Sequence, residues 1–189
     1  AEYQKYKIPA VLVDCYGSGD SFFYSVRTDD RLGGYLATKY LIEQGHRRIA
    51  IVTGELKAHG VNTERYQGYL DALREAGLTP SPDDVFEGLV GYDHGFEVAN
   101  ALARTHRDLT ALFASADITA IGLINGLHAA GLRVPEDVSV IGFDDVEYAK
   151  MCYPGLTTIR QNIMEKGRQS ARLMIEAVQD HSLPRAERI

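Results

Sequence analysis

Two cysteines, Cys15 and Cys152, are all the sulfur chemistry the sequence offers besides methionine. They are too few for a disulfide framework or a thiolate metal centre, and they read as reduced thiols of a cytoplasmic protein. No apolar run approaches the roughly 18 residues a membrane-spanning helix needs. No charged start followed by an apolar stretch marks a secretory signal. A basic segment is missing too. Lysine and arginine total 20 against 26 acids, for a net charge of −6 and a pI near 5.5. Such a surface repels a phosphate backbone, so direct nucleic-acid binding by this stretch is disfavoured. The initiator methionine is absent and the opening is polar, which reads as a piece of something longer. No G-x-S-x-G elbow, phosphate loop, dinucleotide-binding G-x-G-x-x-G or metal-spaced histidine pair occurs, so neither an activated nucleophile nor a cofactor or metal site is expected.

What remains is a chain of 189 residues, 45% hydrophobic, enough for one large domain or two small ones. Short apolar runs alternate with amphipathic stretches about every 30 residues, the length of a βαβ unit. Strands are expected at Ile8–Asp14, Phe22–Val26, Arg48–Val52, Asp84–Glu87, Thr110–Ala114, Val138–Phe143 and Leu156–Ile159. Helices fit between them: one capped by Thr28 or Asp29, one by Thr63, one over Gly95–Arg104, one capped by Asp117, and a last one capped by Asn162. Gly45, Gly77 and Gly131 stand where helices should end. The pattern implies an α/β fold with a doubly wound parallel sheet, and a frayed tail over 181–189.

In such sheets, ligands bind beyond the carboxyl ends of the strands. The groups there include Asn62 and Arg65, Tyr92 and Asp93, Ser115 and Asp117, and Asp144 and Asp145. Hydroxyls, carboxylates, an amide, an aromatic ring and a guanidinium suit a neutral ligand rich in hydroxyl or amide groups.

Six segments carry a resemblance. They are Gly45-His46-Arg47-Arg48-Ile49, Glu64-Arg65-Tyr66-Gln67-Gly68-Tyr69, Ala76-Gly77-Leu78, the run from Asp117 to Gly122, the run from Gly131 to Asp145, and Pro154-Gly155-Leu156-Thr157-Thr158-Ile159. In this order and spacing the chain resembles the lactose-repressor family of bacterial transcription regulators. The resemblance implies a periplasmic-binding-protein-like effector domain with two lobes around a small polar ligand, probed first among sugars. The chain would hold one complete lobe, residues 27–160, plus parts of a second, 1–26 and 161–180. A DNA-reading headpiece would lie outside it, and operator DNA would be reached only through that headpiece. A cytoplasmic homodimer is expected, with Tyr69, Leu89 and Leu127 as candidates for an outer apolar face. A periplasmic sugar-binding protein of a transporter shares the fold and is the alternative. An enzyme on a doubly wound sheet is a more distant one.

The resemblance also assigns residues. Arg65 matches the family's ligand-binding arginine, and otherwise would pair with Glu64 or Asp93. Asp144 matches the acid at the end of the Gly-aromatic-Asp strand, and otherwise would cap the following segment. Asp144 and Asp145 should point apart, so only one faces the ligand. Asp29 and Gln161 match positions that approach ligand, and alternatively serve as an N-cap and a hinge amide. Outside the resemblance, Tyr92, as an apolar platform or else a surface aromatic, and Ser115, as a rim hydroxyl, complete the set. Ala116 and Val90 depart from relatives that carry Asn and an aromatic ring there, so no single relative's specificity carries over.

Overall fold

The computed structural model describes residues 9–16, 24–105, 108–179 and 187–188. In chain order the elements are β1 (Val11–Val13), β2 (Tyr24–Val26), α1 (Asp30–Glu43), β3 (Ile49–Gly54), α2 (Val61–Glu75), β4 (Val85–Gly88), α3 (Tyr92–Thr105), β5 (Ala111–Ala114), α4 (Asp117–Ala129), β6 (Ser139–Asp144), β7 (Thr157–Arg160), α5 (Ile163–Gln179) and β8 (Glu187–Arg188). Single 3₁₀ turns at Pro82–Asp84 and Glu147–Lys150 precede β4 and follow β6. By internal contact the chain divides into two units: residues 1–29, 59–61 and 162–189, and residues 30–58 and 62–161.

The larger unit is a five-stranded parallel sheet in the order β4-β3-β5-β6-β7. Strand alternation sorts its core into two layers. Ile49, Ile51, Ala111, Phe113, Ile141 and Phe143 face Ala37 and Leu41 of α1 and Tyr69, Leu70 and Leu73 of α2. Ala50, Val52, Leu112, Ala114 and Val140 face Val98, Ala99 and Leu102 of α3 and Leu123, Ile124 and Leu127 of α4. Every residue of β3 and β5 is buried, as expected for central strands covered on both sides.

Glycines let the helices of each layer touch. A β-carbon on Gly34 or Gly68 would collide with backbone across the α1–α2 contact, and one on Gly122 would collide with the Tyr92 carbonyl across the α3–α4 contact. Gly122→Ala is therefore expected to cost about 1–3 kcal/mol, because helix backbones must separate. Gly167→Ala on α5 meets open space and is expected to stabilise by about 0.5–1 kcal/mol through helix propensity. Urea unfolding of the two variants should show midpoint shifts of opposite sign.

In the smaller unit, β2 lies between β1 and β8, all parallel. Leu173 and Ala177 of α5 pack on Tyr24, Val26 and Val11. The Asn162 side chain accepts the Glu165 N–H, which is the expected cap of α5.

The structure corrects several expectations. Tyr69 and Leu127 are core residues at 1% exposure, whereas Leu89 is 89% exposed. The expected outer face therefore keeps only Leu89. The Tyr69 ring fills the α2 layer while its hydroxyl donates to the Ile49 carbonyl, and helical spacing alone does not separate such a residue from a surface one. Thr63 does not cap α2, which begins at Val61; its hydroxyl donates to the Lys57 carbonyl. Helix α3 starts at Tyr92, three residues before the expected Gly95, so Tyr92 and Asp93 are helical. Residues 187–188 of the expected frayed tail form β8 through backbone pairing with β2; the rest of 181–189 lies outside the described residues, as do Ile8, Phe22 and Phe23.

Candidate functional site

The carboxyl ends of β3, β5 and β6 deliver the larger unit's polar groups to one rim. Arg65 stands in the first turns of α2, which follows β3. Only 6% exposed, it lies across the layer. Its Nε donates to Asp30 Oδ1 at 2.8 Å and its Nη1 to the Ser115 carbonyl at 2.5 Å, just past the end of β5. The guanidinium sits over the Phe143 ring, 3.6 Å from its centroid. Nη1 also lies 3.7 Å from Asp144 Oδ1, at the end of β6. Residues remote in sequence thus meet because three neighbouring parallel strands end together.

Asp144 is held in turn. Gln161 Nε2 donates to its Oδ1 at 2.6 Å, and the Asp117 backbone N–H at the start of α4 also donates to it. Its side chain keeps 24% of its accessible surface, so it is the part of the cluster still open to a ligand. The backbone here has φ of 125° at Asp144 and 57° at Asp145, a left-handed corner that turns the two acids apart. Asp145 pairs with Arg160 at 2.5 Å instead. The two neighbouring acids thus hold different partners, as the expected divergence of their side chains requires. The expected alternative for Asp144, a cap of the following segment, is not seen: Val146 occupies that position and no side chain caps the turn.

Asp117 is also corrected. The residue at the N-cap of α4 is Ala116, and Asp117 is the first helical residue. Its buried carboxylate accepts the Val146 N–H at 2.9 Å and the Thr158 hydroxyl at 2.5 Å. It fastens α4 to the loop after β6 and to β7, and so supports the corner that aims Asp144.

Burial pushes the pKa of Asp144 upward, partly offset by Arg65 and by the Gln161 hydrogen bond. Burial likewise raises Asp117, partly offset by Thr158 and the Val146 N–H. A carboxyl whose folded-state pKa is raised binds its proton more tightly in the native state. Its contribution to stability is most favourable at acid pH and declines as pH rises through the raised value. A ligand hydroxyl needs the ionised acceptor, so affinity should run the other way. Calorimetric titration between about pH 7.5 and 4.5 is expected to show binding weakening in mildly acidic solution, above the ordinary aspartate range near 3.9.

The remaining expected site residues fall out as follows. Ser115 is on the rim, but its hydroxyl donates to Asn62 Oδ1 at 3.3 Å and its carbonyl serves Arg65. Gln161 touches Asp144 directly. Tyr92 accepts a hydrogen bond from Asn125 Nδ2 at 3.1 Å and stacks on Phe96, so its contacts run along the α3–α4 layer. Asp29 is exposed, ends the smaller unit and immediately precedes α1. Arg65 pairs with neither Glu64 nor Asp93 but with Asp30, the neighbour of the expected Asp29. Asp30 is 1% exposed. Its signal is positional: it opens α1, whose early turns meet α2 where Arg65 stands, as the Gly34 contact with the Arg65 backbone indicates. In the smaller unit, Asp14, just past the end of β1, has φ of 53°, and both its carboxylate oxygens accept from Lys166 Nζ, at 2.8 and 2.7 Å.

Among the described residues, no group of three or more His, Cys, Asp or Glu side chains is placed to hold a metal ion. No helix among them is long and apolar enough to cross a membrane. A cavity of about 420 Å³ lies at the amino-terminal ends of β6 and β7, lined by Tyr40, Gln44, His46, Ser139, Pro154 and Thr157 among others. No carboxylate or guanidinium lines it, and His46 there is engaged by the Thr110 and Ser139 hydroxyls. The convergent charged and polar groups are at the other end of the sheet.

The structure is thus an α/β domain whose parallel sheet presents a guanidinium, two carboxylates and an amide at its carboxyl rim. Residues 38–189 match the family model described as periplasmic binding protein-like domain. Over 171 residues the chain is 41% identical to the HTH-type transcriptional repressor PurR of Haemophilus influenzae, covering 90% of this chain and 50% of that protein. The solved structure of the transcriptional regulator CelR in complex with cellobiose superposes with a TM-score of 0.91 at 33% identity, over 98% of this chain and 57% of that one. A LacI family transcriptional regulator from Enterococcus faecium, with bound ribose, superposes with a TM-score of 0.87 at 32% identity, over 98% and 68% of the two chains. This chain therefore belongs to the periplasmic-binding-protein-like domains of the LacI family of regulators. It spans about half the length of the curated relatives it matches.

Proposed function

We propose that this chain is the effector-sensing domain of a cytoplasmic DNA-binding transcriptional repressor. The observation that carries the reading is the meeting of Arg65 and Asp144 at the carboxyl rim of the sheet. In this reading a small polar ligand, a sugar first among candidates, donates hydroxyl protons to Asp144 and accepts from the Arg65 guanidinium edge not committed to Asp30 and Ser115. Gln161 orients Asp144, and Asp29 and Tyr92 are secondary ligand candidates. The domain binds and releases its ligand without turnover and needs no cofactor. With a net charge of −6, it leaves operator contact to another part of the intact regulator. The family relatives named as repressors favour this reading over a transporter's binding protein.

The test is a thermal-shift screen of neutral pentoses, hexoses, disaccharides and nucleobases. A ligand present at about 100 times its Kd adds about 2.7 kcal/mol of stability. At least one sugar should raise the melting temperature of the wild type and raise that of Asp144→Asn by half as much or less. A ligand whose effect survives that substitution unchanged would place binding elsewhere.

The same reading includes a homodimer, as the family resemblance implies. Leu89 and Ile118, exposed at 89% and 44%, follow the carboxyl ends of β4 and β5 on the larger unit. Exposed apolar side chains of this kind are candidates for an association surface. Leu89→Asp with Ile118→Asp is expected to convert a sedimenting dimer into monomer with little change in melting temperature. Unaltered sedimentation would remove these residues from the dimer face.

A further inference from the structure

The charge count of the rim says more than its hydrogen-bonding capacity does. Among the described residues Arg65 is its single buried cation, and two carboxylates face it: Asp30, 1% exposed at 2.8 Å, and Asp144 at 3.7 Å. Asp117, fully buried, is a third acid close enough to interact electrostatically with Asp144. Arg160, on the exposed edge strand, is paired with Asp145. Arg65, Asp30 and Asp144 together carry one net negative charge with Asp144 ionised and none with it protonated, and an ionised Asp117 adds to the negative side. In neither state does the cluster offer a positive centre, and around buried groups such an imbalance is screened less than in bulk water.

We propose that Asp30 is a specificity-determining residue: by compensating Arg65 from within the α1–α2 contact, it restricts the rim to uncharged polyhydroxyl ligands and turns away those bearing a phosphate or carboxylate. The inference rests on the ligand-binding reading given above and adds the class of ligand excluded. Its physical basis is that an arginine whose Nε is already held by a carboxylate retains donors for hydroxyl oxygens but lacks the net charge that repays desolvation of a phosphate. Without Asp30, the same guanidinium would be a ready bidentate anion site. Asp30 acts through Arg65 and need not touch the ligand.

The experiment compares neutral probes (ribose, glucose, cellobiose) with anionic ones (ribose 5-phosphate, glucose 6-phosphate, glucuronate, inorganic phosphate) by calorimetry on wild type, Asp30→Asn and Asp30→Glu. In the wild type, a neutral sugar that binds should do so at least tenfold more tightly than its anionic counterpart. Asp30→Asn should shrink that ratio about tenfold, and Asp30→Glu, which keeps the charge, should retain it. A merely structural Asp30 would weaken both classes alike and leave the ratio fixed, which overturns the inference. Wild type that prefers a phosphorylated sugar also overturns it, and this arm stands even if Asp30→Asn fails to fold. If no probe of either class binds the wild type, the ligand-site reading fails and this inference goes with it. Binding with an unshifted ratio removes this inference alone.

Discussion

Arg65→Ala is expected to lower stability by about 3–5 kcal/mol, because it strands the buried Asp30 carboxylate without its counterion. For a chain of this size that corresponds to a fall in melting temperature of roughly 6–20 °C. The loss has three sources: the Nε bond to Asp30, the Nη1 bond to the Ser115 carbonyl, and the stacking on Phe143. Arg65→Lys should fall between wild type and alanine, since an ammonium keeps the charge but cannot fork between Asp30 and Ser115. Arg160→Ala is the control. Its 79% exposed side chain holds only Asp145, and such surface pairs contribute about 0–1 kcal/mol. A double variant, Arg65→Met with Asp30→Leu, should recover much of the stability while leaving ligand binding absent. That outcome would separate the structural work of the pair from its role in recognition. Comparable denaturation midpoints for Arg65→Ala and Arg160→Ala would contradict the packing described for α1, α2 and the end of β5.

The second large effect is on binding rather than folding. Asp144→Asn is expected to weaken the ligand about 10- to 100-fold, the loss of a charged hydrogen bond of about 1.5–3 kcal/mol. Asparagine is the informative substitution because it tolerates the positive φ at this corner better than alanine does. Stability should change by less than about 1 kcal/mol, since burial already works against ionisation of Asp144 and its removal relieves a desolvation cost. Isothermal titration and urea unfolding of the same preparation give both numbers. A variant that unfolds readily but binds normally once folded would reverse the assignment and make Asp144 structural.

Most of the larger unit could be read from the sequence because its signals are local and repeated. Apolar runs of four to six residues, each followed by a helix closed at Gly45, Gly77 or Gly131, give a parallel sheet with little ambiguity; all three glycines have positive φ. The Arg65–Asp144 pairing was legible only through the family resemblance joined to the rule that parallel strands end on one rim. Three things were not legible. Helical periodicity placed Tyr69 and Leu127 on a face without saying whether that face is covered, and the close glycine contacts cover both. The sequence reading singled out Asp29 where the structure uses Asp30, since either acid can open α1 and only the crossing of α2 decides between them. Asp117 stood one residue from where a cap belongs. That single step turns its carboxylate from its own helix toward Val146 and Thr158.

The central claim is that ligand is held at the carboxyl rim by Arg65 and Asp144, and hydrogen–deuterium exchange of the wild-type chain tests it most directly. Measured with and without a saturating sugar found by the thermal-shift screen, protection is expected at residues 62–66, 114–119 and 142–146. Protection confined to the segments around Tyr40, His46 and Pro154, at the opposite end of the sheet, would contradict the account.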